Sequence, residues 1–267
     1  MLPSLAALTA LTTRKSDRRF LEKTLKRHEK LLSGAVGKYT DAATTTPIHP
    51  EFAASTLDGL IADDAIVTAD TGMGNVWQAR YITPNGRRRI IGSYLHGSMA
   101  NAVPQAIGAQ IAYPDRQVVT ISGDGGLSML LGELVTVAAY RLPVKMMVFN
   151  NSTLGLVKLE MFVDGYPDFG VDVPAVDYAA VANALGIFGR RVEDPRDLHG
   201  AISAALSHDG PALVDIVTDP LALSLPSAIT GEQVTGFSLA LSKVVLNGGI
   251  GEAVSLVKSN IRHVPGL

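Results

Sequence analysis

The sequence predicts an α/β fold in which helices cover both faces of an open parallel sheet. Six short runs rich in apolar and β-branched residues alternate with stretches of helical periodicity. The runs are almost continuously apolar, which is typical of strands buried on both faces. With 267 residues, of which 47% are hydrophobic, the chain can bury a core of this kind.

The predicted strands and helices follow one another between residues 65 and 218. The strands are AIVTAD (65–70), RRIIGS (88–93), QVVTIS (117–122), VKMMVFN (144–150), GRRV (189–192) and ALVDIVT (212–218). The helices are near 101–112, 128–140, 153–162, 177–185 and 196–207. Since open parallel sheets bind ligands beyond the carboxyl ends of their strands, polar residues at those ends are the candidate site.

The flanking segments differ from this pattern. Residues 14–30 have eight bases, three acids and apolar residues at helical spacing, which predicts an amphipathic helix. A nucleic-acid patch is one interpretation, but a solvated helix face is favoured because no aromatic or glycine-rich motif accompanies the charges. We divide the chain into a helical segment (1–32), a Gly-, Thr- and Pro-rich linker (33–50), a sheet domain (51–230) and a tail of two helices (231–267).

The composition excludes several classes of partner. Lys and Arg total 23 against 25 Asp and Glu, so the net charge of −2 gives no field that attracts nucleic acid. The absence of cysteine excludes disulfides and thiolate metal sites and suits a reducing compartment. We identify no signal peptide and no stretch near the roughly 20 apolar residues of a membrane span. We expect a globular, cytoplasmic protein.

A glycine turn, GDGG (123–126), follows the third predicted strand. We expect a helix to begin near Leu127 or Ser128, and the free N–H groups and dipole at its start favour a phosphate. An aspartate in the same loop would repel that phosphate unless a divalent cation lies between them. Asp124 therefore predicts a metal ion.

The next predicted strand ends in a second oxygen donor. Asn151 lies 151 − 124 = 27 positions after Asp124, and the backbone carbonyl of Thr153 offers a third oxygen. Magnesium prefers octahedral oxygen ligands and combines a few protein oxygens with phosphate and water. The sequence therefore predicts a magnesium-bridged diphosphate site, whereas the spacings G-x-x-x-x-G-K-[ST] and G-x-G-x-x-G are not matched here.

The GDG turn and the Asn150–Asn151 pair, with this spacing, resemble the thiamine diphosphate motif. The segments GSYLHGSMANAVPQAIGAQ, RQVVTISGDGGLSMLLGEL and LPVKMMVFNNSTLGLVKLEM, with the tail, resemble the pyruvate oxidase and quinone-dependent pyruvate dehydrogenase family. The dehydrogenase subtype is the closer match through HGSMANA and the tail. This resemblance implies the thiamine diphosphate-binding (PP) domain of an enzyme that oxidises pyruvate to acetate and CO2.

The resemblance also implies individual roles. The magnesium ligands would be Asp124, Asn151 and the Thr153 carbonyl. The backbones of Gly125, Gly126 and Gly155 would contact the diphosphate. Met99 would prop the cofactor in its bent form, and the Gly97 carbonyl would accept from the aminopyrimidine. Val157 and Glu160 would line the thiazolium and substrate pocket, and His96 would face the substrate. A structural hydrogen-bond donor is an equal alternative for His96, and a surface acid is the alternative for Glu160.

Two departures from the family shape the functional expectation. Leu156 stands where the family commonly has an aromatic residue between thiamine and flavin. The family's pyrimidine-binding and FAD-binding domains precede this region, and residues 1–32 resemble the end of the flavin domain. We therefore expect a C-terminal portion, inactive alone, that forms a homo-oligomer or pairs with a chain carrying the pyrimidine-binding domain. Pyruvate or another 2-keto acid would be the substrate, and a quinone the acceptor.

Two alternative functions stay open. One is a non-oxidative 2-keto acid decarboxylase or acetolactate synthase-like protein, and the other is a non-catalytic binding module with the same fold. The tail from about Gly248, with Lys258, Arg262 and His263 near its end, is compatible with peripheral contact at the inner face of the cell membrane. A tail packed on the domain is the favoured alternative, because the helix is short and weakly charged.

Overall fold

The computed structural model describes residues 2–34, 37–223 and 231–263. Its centre is a parallel sheet of six strands in the order β2-β1-β3-β4-β6-β5. The strands are β1 (Ile66–Ala69), β2 (Arg89–Gly92), β3 (Val118–Gly123), β4 (Lys145–Asn150), β5 (Phe188–Val192) and β6 (Ala212–Val217). Each strand falls within about two residues of a predicted run, and the predicted fold class is confirmed.

Helices cover both faces of this sheet, and further helices precede and follow it. In chain order the helices are α1 (Leu2–Ala10), α2 (Arg19–Gly34), α3 (Pro50–Leu60), α4 (Met73–Tyr81), α5 (Ala102–Ala112), α6 (Asp124–Met129), α7 (Glu133–Ala139), α8 (Gly155–Val163), α9 (Tyr178–Ala184), α10 (Pro195–Ser207), α11 (Gly231–Leu246) and α12 (Ile250–Asn260). A 3-10 turn, Ile261–His263, follows α12. In the part of the chain that is described, no helix is long and apolar enough to cross a membrane.

The expected start of the helix after the glycine turn was wrong. Gly123 has an extended backbone, and α6 begins directly at Asp124 rather than near Leu127 or Ser128. The single helix predicted over 128–140 is two helices, α6 and α7, which are separated at Leu130–Gly132. Asp124 is therefore the first residue of a helix, and this helix is only six residues long.

Two apolar clusters hold the helices against the sheet. Side chains alternate between the faces of a strand, so β4 sends Met147 to one face and Met146 to the other. Helices α3, α4 and α10 pack in the first cluster, which includes Trp77, and helices α5, α7 and α9 pack in the second, which includes Tyr178. Burial on both faces explains why the inner strands β1, β3, β4 and β6 are largely apolar, whereas the edge strands β2 and β5 are only partly buried and carry arginines.

The tail packs on α8 through a third cluster. Leu256 of α12 is 2% exposed and shares this cluster with Leu159 and Phe162. Lys158 of α8 is buried, and its Nζ lies 2.7 Å from Asp168. Other apolar residues of the tail, such as Val254, are exposed. The tail helices thus combine a packed face with a solvent-facing apolar one.

The segment predicted as a linker contributes buried side chains. Tyr39 and Ile48 are buried, and the Tyr39 ring stacks on His49 with ring centroids 3.8 Å apart. Arg262, after α12, donates to the Lys38 carbonyl at 2.9 Å and to the Asp41 carboxylate at 2.7 Å. The chain before α3 is therefore fastened to the end of the tail. By contrast, the side chains of residues 3–30 are exposed.

Candidate functional site

A cavity of about 230 Å³ opens at the carboxyl ends of β1, β3, β4 and β6. It brings together the predicted residues Gly97, Met99, Asp124, Gly125, Gly126, Asn151, Thr153, Gly155 and Val157. His96 and Glu160 are exposed and lie outside its lining. Residues far apart in sequence thus meet at one edge of the sheet, and the catalytic roles of His96 and Glu160 stay predictions.

Asp124 is the most strongly perturbed acid of the cavity. Its side chain is 2% exposed, and its Oδ1 accepts from the Gly125 amide at 2.9 Å. Its Oδ2 has no hydrogen-bond partner among the described residues. Burial raises the pKa of Asp124 to about 6, repulsion from Asp215 adds to this, and the Gly125 amide partly opposes it. A buried carboxylate oxygen without a donor is suited to coordinate a divalent cation.

The loop after β4 presents the other two oxygen donors. Asn151 Oδ1 accepts from the Thr153 amide at 3.2 Å, and the Thr153 carbonyl accepts from the Gly155 amide at 2.9 Å. The intervening Ser152 has a φ of 54°, a conformation that is uncommon for a residue other than glycine. The amide of Val173 donates to the Ser152 carbonyl at 2.9 Å. The loop is therefore held in a compact turn by its neighbours.

Pairing of the strands places the donors next to each other. Strands β3 and β4 are parallel neighbours, with Gly123 opposite Phe149, so Asp124 and Asn151 follow adjacent strand ends. Carboxylate, amide and carbonyl oxygens are the ligands that Mg²⁺ prefers. The donor set fits magnesium, as the sequence predicts.

Three glycines shape the wall of the cavity by close packing. A Cβ on Gly126 would lie 2.6 Å from Oδ2 of Asp70, and one on Gly125 would lie 2.7 Å from Cδ2 of Leu154. A Cβ on Gly155 would lie 3.3 Å from a side-chain atom of Asn151. Only glycine therefore fits these positions without displacing a neighbour, and the backbone stays accessible to a ligand. The first amides of a helix lack intrahelical acceptors and can bind phosphate oxygens. At the starts of α6 and α8, the Gly125 amide donates to Asp124 Oδ1 and the Gly155 amide to the Thr153 carbonyl, so a phosphate would have to replace these two contacts or use the neighbouring amides.

The cavity also contains residues to which the sequence assigned no individual role. Asp70, directly after β1, is 3% exposed, and its Oδ1 accepts from the Ala102 amide at 2.8 Å. Burial raises the pKa of Asp70. Trp77, the only tryptophan of the sequence, lines the cavity from α4. The position of Asp70 at a strand end was the available signal, whereas Trp77 reaches the cavity only because α4 packs on the sheet.

The fold and this site together define an α/β domain with a cavity at the carboxyl ends of its strands, whose lining is suited to a diphosphate and a divalent cation. Residues 70–216 match the family model described as the thiamine pyrophosphate enzyme, C-terminal TPP binding domain. The chain belongs to this family, and the matched residues include both strand ends that bear the oxygen donors.

Similar proteins support this assignment. The chain is 35% identical over 257 residues to the putative thiamine pyrophosphate-containing protein YdaP of Bacillus subtilis (strain 168). This alignment covers 96% of this chain and 44% of that protein. It is 40% identical over 161 residues to the acetolactate synthase large subunit of Parasynechococcus marenigrum (strain WH8102), covering 58% and 26% of the two chains. The chain thus spans less than half the length of these relatives.

A solved structure shares the fold. The thiamine diphosphate-dependent 4-hydroxybenzoylformate decarboxylase of Rhodococcus jostii RHA1 matches with a TM-score of 0.57 and 28% identity, covering 66% of this chain and 33% of that one. Acetolactate synthases and a decarboxylase among the relatives fit the non-oxidative alternative better than the pyruvate oxidase interpretation.

Proposed function

We propose that this chain is the magnesium- and thiamine diphosphate-binding domain of an enzyme that acts on a 2-keto acid. The observation that supports it most is the buried Asp124 Oδ2, which lacks a partner among the described residues and belongs to a cavity shared with Asn151 and Thr153. Bound thiamine diphosphate supplies carbanion stabilisation at the former carbonyl carbon of the substrate. The rest of the site would come from a pyrimidine-binding domain outside these 267 residues.

The residues of this chain bind and orient the cofactor in this proposal. Asp124, Asn151 and the Thr153 carbonyl hold the cation, and the cation neutralises the diphosphate that would otherwise be repelled by Asp124. Backbone amides of the glycine turn and of the start of α8 bind the diphosphate oxygens. The apolar side chains of Met99 and Leu154, next to Gly125, exclude water from the cofactor.

Non-oxidative cleavage or condensation of the 2-keto acid, as the names of the relatives suggest, is our first choice of reaction. Leu156, in place of the aromatic residue expected between thiamine and flavin, agrees with it. Oxidation of pyruvate with FAD and a quinone is the competing reaction, and the resemblance of HGSMANA and the tail supports it. Roles for His96 and Glu160 are part of this proposal and depend on a docked partner domain, since both side chains are exposed.

Fluorescence of Trp77 tests the binding step directly, because this single tryptophan lines the cavity. Titration with thiamine diphosphate should change the emission only when Mg²⁺ is present, and Asp124→Ala should abolish the magnesium-dependent response. Asp115→Ala, which removes an exposed acid, is the matched control and should respond like the wild type. Unchanged cofactor affinity in Asp124→Ala would contradict the assignment of Asp124 as a magnesium ligand.

Turnover assays separate the competing reactions. The chain alone should not convert pyruvate at an enzymatic rate, because a missing general acid costs about 10²–10⁴-fold and a missing domain also forfeits orientation. After addition of a separately expressed pyrimidine- and flavin-binding segment from a relative, acetolactate or aldehyde formation supports the first choice, and dye reduction supports oxidation. Cofactor binding without turnover would favour a non-catalytic module. Robust turnover by the chain alone would contradict the need for a second domain.

A further inference from the structure

Tyr178, the first residue of α9, lies behind the cavity and contacts the helix that bears Asp124. Its side chain is fully buried, and its hydroxyl donates to the Asp124 carbonyl at 3.1 Å. The same hydroxyl lies 2.6 Å from Oγ of Ser128. Both contacts are with α6, so the phenol fastens the first turn of this helix to α9.

The backbone of Tyr178 is linked to the second metal-binding loop. Its N–H donates to Oδ2 of Asp215 at 3.1 Å, and Oδ1 of Asp215 accepts from Nδ2 of Asn150 at 2.9 Å. Arg191 pairs with the same carboxylate at 2.7 Å. Asn150 directly precedes the proposed ligand Asn151. Tyr178 therefore connects both loops of the metal site through buried, charge-assisted hydrogen bonds.

The length of α6 makes this connection necessary. A helix of six residues has little stability of its own, so its position depends on tertiary contacts. Magnesium requires a nearly ideal octahedron with ligands at about 2.0–2.1 Å, which leaves little tolerance for displacement of Asp124. Calcium accepts irregular geometry and longer ligand distances.

From these contacts we infer that Tyr178 is a positioning residue that fixes Asp124 relative to Asn151 and thereby sets the affinity and selectivity for Mg²⁺. The inference rests on the proposed function. Tyr178 is absent from the cavity lining, so its hydroxyl acts on the cation only through the backbone of Asp124. Loss of a residue that hydrogen-bonds a ligating group directly typically lowers metal affinity about 10–100-fold, so we expect an effect at the lower end of this range for a contact through the backbone.

Tyr178→Phe is the test, since it keeps the ring and removes only the hydroxyl. The Mg²⁺ concentration that half-saturates the thiamine diphosphate-induced change in Trp77 emission should rise about tenfold. The corresponding Ca²⁺ concentration should rise less than about threefold, because calcium tolerates the displaced ligand. Tyr39→Phe is the matched control. Tyr39 is also buried, and its hydroxyl accepts from the Arg262 amide at 3.1 Å, but it does not line the cavity. The half-saturating concentrations of Mg²⁺ and Ca²⁺ should therefore not change in Tyr39→Phe.

The outcomes separate this inference from the function on which it rests. Absence of magnesium-dependent binding in the wild type would overturn both. Wild-type binding with an unchanged Mg²⁺ requirement in Tyr178→Phe would overturn the inference alone, and so would an equal loss for Mg²⁺ and Ca²⁺, which would indicate general destabilisation. If Tyr178→Phe does not fold, Ser128→Ala removes the hydroxyl's partner at an exposed position. It should raise the Mg²⁺ requirement about threefold, and no change would overturn the inference.

Discussion

Replacing Asp124 by Asn should make the metal-free protein more stable at neutral pH. Burial raises the pKa of Asp124 from 3.8 to about 6, so ionising this side chain in the folded state is costly. Each pKa unit corresponds to about 1.4 kcal/mol, which gives a cost of about 3 kcal/mol at pH 7. Asn keeps the shape and can still accept from the Gly125 amide, but it has no charge to bury.

The pH dependence of this gain has a definite sign. Because the pKa of Asp124 is higher in the folded state than in the unfolded chain, the folded state binds the proton more tightly. The stability that this proton contributes is fully present below pH 3.8 and is lost as the pH rises through about 6. The stability difference between Asp124→Asn and wild type should therefore grow over this window and remain constant above it.

Urea unfolding of the metal-free proteins at pH 4 and pH 7 measures this difference. Asp115→Asn removes the same charge from an exposed position and should change stability by less than about 0.5 kcal/mol at either pH. Addition of Mg²⁺ and thiamine diphosphate should stabilise the wild type but not Asp124→Asn, since only a ligand that binds the folded state shifts unfolding. Equal stability of Asp124→Asn and wild type at pH 7, or a gain independent of pH, would refute the reasoning.

Three further predictions concern packing and the tail. Gly126→Ala should lower the free energy of unfolding by about 1–3 kcal/mol, because the added Cβ would lie 2.6 Å from a buried carboxylate oxygen of Asp70. In Gly132→Ala the added Cβ meets no atom within 4 Å, so this variant should be as stable as the wild type or more stable. Equal thermal stability of these two variants would contradict this. Leu256→Ala should cost about 2–5 kcal/mol in urea unfolding, since the side chain is 2% exposed, and a loss well below 1 kcal/mol would show that the tail is not part of the core. If the tail contacts membranes, acidic substitution of the exposed Val254 and Val257 should reduce co-sedimentation with anionic liposomes, and equal sedimentation would argue against such contact.

The inner strands were predictable from sequence because burial on both faces leaves nearly continuous apolar runs. The break between α6 and α7 was not predicted, although Gly132, directly before α7, is a local signal of a helix boundary. Helix α3 was missed between the predicted linker and the first predicted strand, although His49 caps it and Pro50 occupies its first turn, which are local signals of a helix start.

The candidate site was predictable to the extent that ligands follow strand ends. Asp124 and Asn151 were found in this way because parallel strands end at a common edge. Asp70 also follows a strand end, that of β1, but no sequence motif around it indicates its role. Trp77 and Tyr178 lie on helices, and their contacts with the site depend on how those helices pack, which no local pattern encodes.

The contact of Arg262 with Lys38 and Asp41 brings the segment before α3 next to the end of the tail, so the two ends of the part of the chain that packs around the sheet lie side by side. A domain whose two ends are adjacent can be fused to a neighbour, or separated from one, without rethreading its chain. Gene fusion at this edge would leave the strand ends that bear Asp124 and Asn151 undisturbed. Such a unit can be joined to different neighbours while its cavity is kept.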